Sequence, residues 1–160
     1  MGRDKKERYI TMEKKLVIAC DHGGYELKLA LISHLSESGY TVVDLGCDSP
    51  ESVDYPVYAD KLCCALNRGD APLGILVCGT GLGMSIAANK HKGIRAVCCS
   101  DTFSAKMGRV HNNANVLCMG GRVVDAERGC ALADAFLQAE FEGGRHERRV
   151  AMLNALDEAK

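Results

Sequence analysis

Several absences in this chain of 160 residues already exclude whole classes of function. It has no run of ~18 or more apolar residues, so no membrane-crossing helix is expected. The first fifteen residues are charged and lack an apolar core, so they do not read as a secretory signal. Neither sign of charge is in excess: 20 Lys+Arg stand against 21 Asp+Glu, a formal net charge of -1. Such a balance gives no reason to expect a nucleic-acid partner or a polybasic membrane surface. Repeats and low-complexity tracts are missing as well. The length fits one domain large enough to bury a proper core without staples.

Cysteine, by contrast, is plentiful. There are nine, an odd number, with two adjacent pairs (Cys63-Cys64 and Cys98-Cys99) and no CxxC spacing. That pattern is neither a disulfide framework nor a zinc ribbon. Free thiols in a reducing, cytoplasmic compartment are the simpler reading, most of them acting as small apolar core residues.

Five short apolar runs read as strands buried on both faces: 16–20, 41–45, 74–78, 95–99 and 115–119. Segments with helical spacing lie between them. Leu27, Leu31, His34, Leu35 and Ser38 mark one face of a first helix. Tyr58, Leu62, Ala65 and Leu66 mark a second, with Asp54 as its N-cap and Pro56 in its first turn. Further helices are expected over 85–90, 103–110, 125–140 and 146–159. Regular strand–helix alternation predicts an α/β fold: a three-layer, Rossmann-like sandwich around a five-stranded parallel sheet. Residues 16–160 form the domain, and residues 1–15 read as a flexible N-terminal extension.

In such sheets ligands bind beyond the carboxyl ends of the strands. Gly79-Thr80-Gly81-Leu82-Gly83 sits there, after a buried strand and before a helix. Glycines let backbone N–H groups approach a ligand closely, and a helix start favours an anion. A dinucleotide fingerprint needs glycine at 84, where this chain has Met84, although Asp101 lies roughly where a ribose-binding acid would. A Walker loop is excluded, since no Gly-Lys-Ser/Thr follows. An anion or oxyanion cradle, a nucleotide loop and a plain tight turn remain the readings, the first favoured. Cys78 abuts this loop, where a thiol can serve as base or nucleophile. A cysteine phosphatase would need arginine at 84, so acid–base chemistry fits better than thiophosphate chemistry.

Asp21 and His22 follow the first strand and could transfer protons, or could be an N-cap and a surface histidine. His111 and Asn112 form a polar cluster after the fourth helix. His34 reads as structural and His91 as solvated at a helix end. Arg145 and Arg149, four apart, suit a phosphate or a basic solvent-facing turn, and Arg109 could add a third contact.

Taken in order, Asp21-His22-Gly23-Gly24, Asp54-Tyr55-Pro56, Cys78-Gly79-Thr80-Gly81-Leu82-Gly83, Ala87-Ala88-Asn89-Lys90, Gly93-Ile94-Arg95-Ala96, His111-Asn112-Asn113-Ala114-Asn115-Val116-Leu117 and Gly143-Gly144-Arg145-His146 with Arg149 resemble ribose-5-phosphate isomerases of type B. That group includes the galactose-6-phosphate isomerase subunits. Each motif is weak alone; the ordered set, from about Leu16 to Leu156, is specific.

The resemblance implies interconversion of D-ribose 5-phosphate and D-ribulose 5-phosphate, without cofactor or metal. It implies a homodimer, or a dimer of dimers, with sites shared at the subunit interface. On it, Cys78 is the general base. Thr80 and His111 assist ring opening, with Asp21 nearby, and the amides of Gly79, Gly81 and Gly83 stabilise the enediolate. His22, Arg109, Arg145 and Arg149 hold the phosphate, and Tyr55 and Asn112 contact the sugar. One branch of the family lacks the cysteine and carries glutamate where Met84 stands, so Cys78 places this chain in the cysteine branch. A hexose 6-phosphate isomerase, for allose or galactose 6-phosphate, is the runner-up. A nucleotide-binding or sensory module is the alternative from another class.

Overall fold

The computed structural model describes residues 14–159. Five strands form one parallel sheet: β1 (Lys15–Cys20), β2 (Thr41–Asp44), β3 (Leu73–Cys78), β4 (Ala96–Cys98) and β5 (Val116–Gly120). The order across the sheet is β2-β1-β3-β5-β4. Six helices connect or follow them: α1 (Tyr25–Glu37), α2 (Tyr55–Asn67), α3 (Leu82–Ala88), α4 (Thr102–Asn112), α5 (Ala126–Leu137) and α6 (Arg145–Ala155).

Burial explains why the apolar runs become strands. Along β1, Leu16, Ile18 and Cys20 pack toward α1, α4 and α5, with Leu31, Leu35, Leu132 and Phe136 in the same cluster. The alternate residues Val17 and Ala19 pack toward α2 and α3, with Leu62, Cys63, Met84 and Ala88. Side chains alternate across a strand, so a strand covered on both faces must be apolar at every position. The three-layer α/β sandwich is therefore as expected from the sequence.

Boundaries moved where local signals were weak. The fifth helix is shorter than 125–140, and the last one passes at Leu156 into a 3₁₀ turn that runs to Ala159. Asp54 occupies the N-cap position of α2, yet its side chain makes no capping bond. The strand starts at Lys15, and the carbonyl of Lys14 accepts from the Thr41 amide at 2.7 Å. The rest of the expected extension lies outside the described residues. His91 is not solvated as expected. Its Nε2 lies 2.7 Å from Asp60, and its Nδ1 lies 3.0 Å from the carbonyl of Ala87. His34 is structural, joining α1 to α5 through Asp134 at 2.9 Å.

A buried lysine arranges the sheet end where chemistry was expected. Lys28 on α1 is fully buried, and its ammonium donates to both carboxylate oxygens of Asp44 at 2.8 and 2.9 Å and to the Cys47 carbonyl. The loop after β2 is thereby held against β1, where Cys20 and Cys47 exchange backbone bonds with Gly46 and Cys20 at 2.7 and 3.0 Å. A buried charge is tolerated only when paired and hydrogen-bonded, and here it is.

Candidate active site

The strand order reverses between β1 and β3, so their carboxyl ends open a crevice there. The Asp21 and Cys78 loops meet in it. A Cβ on Gly23 would lie 2.9 Å from the Gly79 nitrogen, so the two loops touch backbone to backbone. Asp21 is buried, and its carboxylate accepts from the Gly23 amide at 2.9 Å, capping the 3₁₀ turn His22–Gly24. The Val53 amide donates to His22 Nδ1 at 3.2 Å. A backbone N–H can only donate, so a neutral His22 carries its proton on Nε2.

Cys78 ends β3 almost fully buried. The Gly81 amide donates to its sulfur at 3.1 Å, an arrangement that stabilises negative charge developing there. Gly81 adopts a left-handed conformation with φ of +81° to make this turn. A Cβ at Gly81 would lie 2.9 Å from both the Cys98 sulfur and the Met119 carbonyl carbon. Gly81→Ala should therefore destabilise the fold by at least the ~1–2 kcal/mol of a left-handed alanine, with the clash added. Urea denaturation beside the unmutated chain measures it; an unchanged midpoint would show that the loop relaxes freely.

Two neighbours of the loop escaped the sequence reading. Cys98, at the end of β4, also abuts the loop, its thiol 3.7 Å from the Thr80 carbonyl, so Cys78 is not alone there. Arg122 follows β5, and its guanidinium lies 3.0 Å from where a Gly79 Cβ would be. Its own amide donates to the Gly79 carbonyl at 3.0 Å. The signal for Arg122 was its place after a strand end beside Gly120 and Gly121. Tyr55 covers the far side of the loop, its ring 2.7 Å from a Cβ on Gly83. Thr80 is exposed, and its hydroxyl accepts from the Leu82 amide at 3.3 Å.

Burial pushes Cys20 and Cys63 up to about 12 and Cys99 to about 11. Cys118, wholly enclosed, is pushed well above the ordinary value. Cys98 is raised by burial and then by the charge of Cys78.

The remaining expected site residues lie elsewhere in the protomer. Helix α4 starts just after β4 at the carboxyl end of the sheet and runs back to the amino end, where Asn113 to Asn115 lead into β5. Eleven residues at 1.5 Å each carry it about 16 Å. His111 and Asn112 thus sit at the end opposite Cys78. His146, in the first turn of α6, stacks on His111 with ring centroids 4.3 Å apart, which brings Arg145 and Arg149 to that end too. Burial, then His111 and Arg145, hold the His146 imidazole below its ordinary value.

Arg109 is on the same helix, but its guanidinium turns inward. It donates to the Ala114 carbonyl at 2.7 Å and to Asn113 Oδ1 at 3.1 Å, and it lies over the Phe136 ring. These contacts tie the end of α4 to β5 and α5, a structural task that the sequence reading did not foresee. Asp101 likewise serves as a helix cap, accepting from the Ser104 amide at 2.7 Å.

The protomer therefore presents two separate groups of candidate residues: a thiol, a glycine cradle, His22, Tyr55 and Arg122 at one end, and His111, Asn112, Arg145 and Arg149 at the other. The first offers a base and an oxyanion cradle. The second offers a proton carrier and two guanidinium groups for an anion.

Comparison with known proteins is consistent in kind and in length. The profile of a family described as Ribose/Galactose Isomerase matches residues 16–153. The chain is 48% identical over 147 residues to ribose-5-phosphate isomerase B of Escherichia coli K12, covering 92% of this chain and 99% of that protein. It is 44% identical to a probable ribose-5-phosphate isomerase B of Mycoplasma pneumoniae, covering 94% and 100%. Among solved structures, ribose-5-phosphate isomerase B of Clostridium thermocellum superposes with a TM-score of 0.89 at 46% identity, covering 91% of this chain and 98% of that one. The type B enzyme of Leishmania infantum superposes with a TM-score of 0.87 at 42% identity, covering 91% and 97%.

Proposed function

The chain belongs to the ribose/galactose isomerase family, and on that footing we propose that it interconverts D-ribose 5-phosphate and D-ribulose 5-phosphate, a step of the pentose phosphate pathway. Cys78, as thiolate, takes the proton from C2 of the open-chain aldose. The released electron pair forms the C1–C2 double bond, and the aldehyde oxygen becomes an oxyanion. The amides of Gly79, Gly81 and Gly83 surround that enediolate. Cys78 returns its proton to C1, the C2 hydroxyl proton passes to the oxygen on C1, and C2 becomes the ketone. Thr80 and His111 move the protons that open the furanose ring. His22, Arg122, Arg145 and Arg149 hold the phosphate, and Tyr55 and Asn112 face the sugar. Asp21 acts through its backbone bond, fixing the turn that carries His22. No cofactor enters these steps.

The observation that carries this reading is the Cys78 sulfur receiving the Gly81 N–H at the mouth of a glycine cradle. A base beside preorganised N–H donors is what proton abstraction next to a carbonyl requires. Phosphate held far from the reacting carbons orients the substrate, so its arginines contribute to turnover as well as to binding.

The two half-sites become one site in a homodimer, where the Cys78 end of each protomer meets the His111 end of its partner. A two-fold interface makes two such sites by symmetry. Leu82 and Ile86 on α3, which opens from the loop, and Phe103 at the start of α4 are exposed large apolar residues, the kind of surface a second copy covers. A dimer of dimers is compatible with the same arrangement. Among the described residues no helix is long and apolar enough to cross a membrane. Nine unpaired thiols suit the reducing cytoplasm.

Steady-state rates on ribose 5-phosphate beside allose 6-phosphate and galactose 6-phosphate test the assignment. Ribose 5-phosphate should give the highest kcat/KM, with deuterium from solvent entering the sugar. A higher value on a hexose phosphate would reassign the substrate. Absence of deuterium uptake with every sugar would overturn the isomerase.

A further inference from the structure

The amino end of the sheet carries a cluster of which the isomerase reading uses only His111. His111, Glu142 and His146 each aim one ligand-capable atom into the same space, all within 4.8 Å of one another. The backbone explains why they meet. The Glu142 amide donates to the Val110 carbonyl at 3.1 Å, pinning Glu142 beside the last turn of α4. Gly143 and Gly144 both take positive φ, +68° and +53°, so the chain reverses at once into α6. His146 Nε2 then lies 3.9 Å from Glu142 Oε2, and its ring lies against His111.

We infer that His111, Glu142 and His146 form a binding site for a divalent transition ion of the zinc type, and that occupancy of this site switches the enzyme off. Two imidazole nitrogens and one carboxylate oxygen are the donor set such ions prefer, with further positions left for water or another ligand. Magnesium and calcium favour all-oxygen sites and are not expected here. Metal–ligand distances near 2.0–2.2 Å put tetrahedral ligands about 3.3 Å apart. Glu142 is exposed and His111 half-buried, so side-chain rotation closes the gap from 3.9–4.8 Å. The two rings, inclined by only 18°, must turn from their stack so that their nitrogens converge. Arg145 Nε, 3.4 Å from His146 Nε2, must swing out, which its exposure permits.

The consequence for activity rests on the proposed reaction, in which His111 carries protons for ring opening. An imidazole nitrogen bound to metal cannot do so. The binding itself does not depend on that reading, and the test separates the two. Cobalt(II) serves as the spectroscopic probe, added to the full-length chain carrying Cys78→Ser so that this thiol cannot contribute. One equivalent per chain should produce visible ligand-field bands without a thiolate-to-metal charge-transfer band, and zinc should displace it. Glu142→Gln should weaken cobalt binding about tenfold, and His111→Asn should abolish the bands. In the chain with Cys78 intact, zinc should inhibit isomerisation, and Glu142→Gln should raise the inhibitory concentration by the same factor while the rate in EDTA is unchanged. No bound cobalt, a thiolate band, or binding indifferent to Glu142→Gln would each overturn the site. Cobalt bands with the expected variant pattern, in a protein without isomerase activity, would leave the site standing and remove only the inhibition.

Discussion

Two chains that are each inactive should restore activity when mixed. Cys78→Ala disables the carboxyl-end half-site, and His111→Ala disables the amino-end one. If each complete site draws Cys78 from one protomer and His111 from the other, a mixed dimer holds one intact site and one doubly defective site. Equal amounts unfolded and refolded together give half mixed dimers, so about one quarter of the wild-type rate should return. A site built within one protomer would give no recovery, because every chain carries a lesion. The geometry favours recovery: α4 separates His111 from the sheet end that holds Cys78 by about 16 Å. Recovery should follow reassociation and be absent when the two proteins are mixed without exchange of subunits.

The second large effect concerns Cys78 itself. Its replacement by alanine should cost at least the ~10²–10⁴-fold that a positioned base contributes. Alanine also leaves the Gly81 N–H without its partner, which costs ~1–3 kcal/mol for a buried donor. Cys78→Ser separates these effects. A hydroxyl can still accept from Gly81, so stability should stay near that of the unmutated chain. The hydroxyl is too weakly acidic to act as a ground-state base, so turnover should fall almost as far as in alanine. Inorganic phosphate should still bind both variants, since Cys78 is not among its proposed holders. Full turnover in Cys78→Ser would place the base at another group, and Cys98, whose thiol reaches the Thr80 carbonyl, would be the first to examine.

Much of the fold was legible because burial leaves a trace in composition. Strands covered on both faces must be apolar at every position, so Leu16 to Cys20 and Gly74 to Cys78 stand out in the chain, and the observed strands begin or end within one residue of them. Helix ends were less legible. Asp54 has the right residue type for a cap and makes no capping bond, while Asp101, weighed as a ribose acid, does cap a helix. Capping depends on side-chain rotamer and local backbone, which spacing does not record.

The candidate residues were legible as types in the right loops, and the family resemblance supplied their roles. The grouping of those residues was not. By itself the sequence determined the α/β layering, the glycine cradle after a buried strand and the thiol at its edge, because periodicity and glycine content are local properties. Only the tertiary structure decided that Arg122 lies over Gly79, that Arg109 turns inward onto Ala114, that Cys98 shares the loop with Cys78, and that His111 stands a helix length away. Those facts follow from the order β2-β1-β3-β5-β4 and from helices that run back against the strands. They depend on which distant segments become neighbours, and no stretch of sequence carries that information alone.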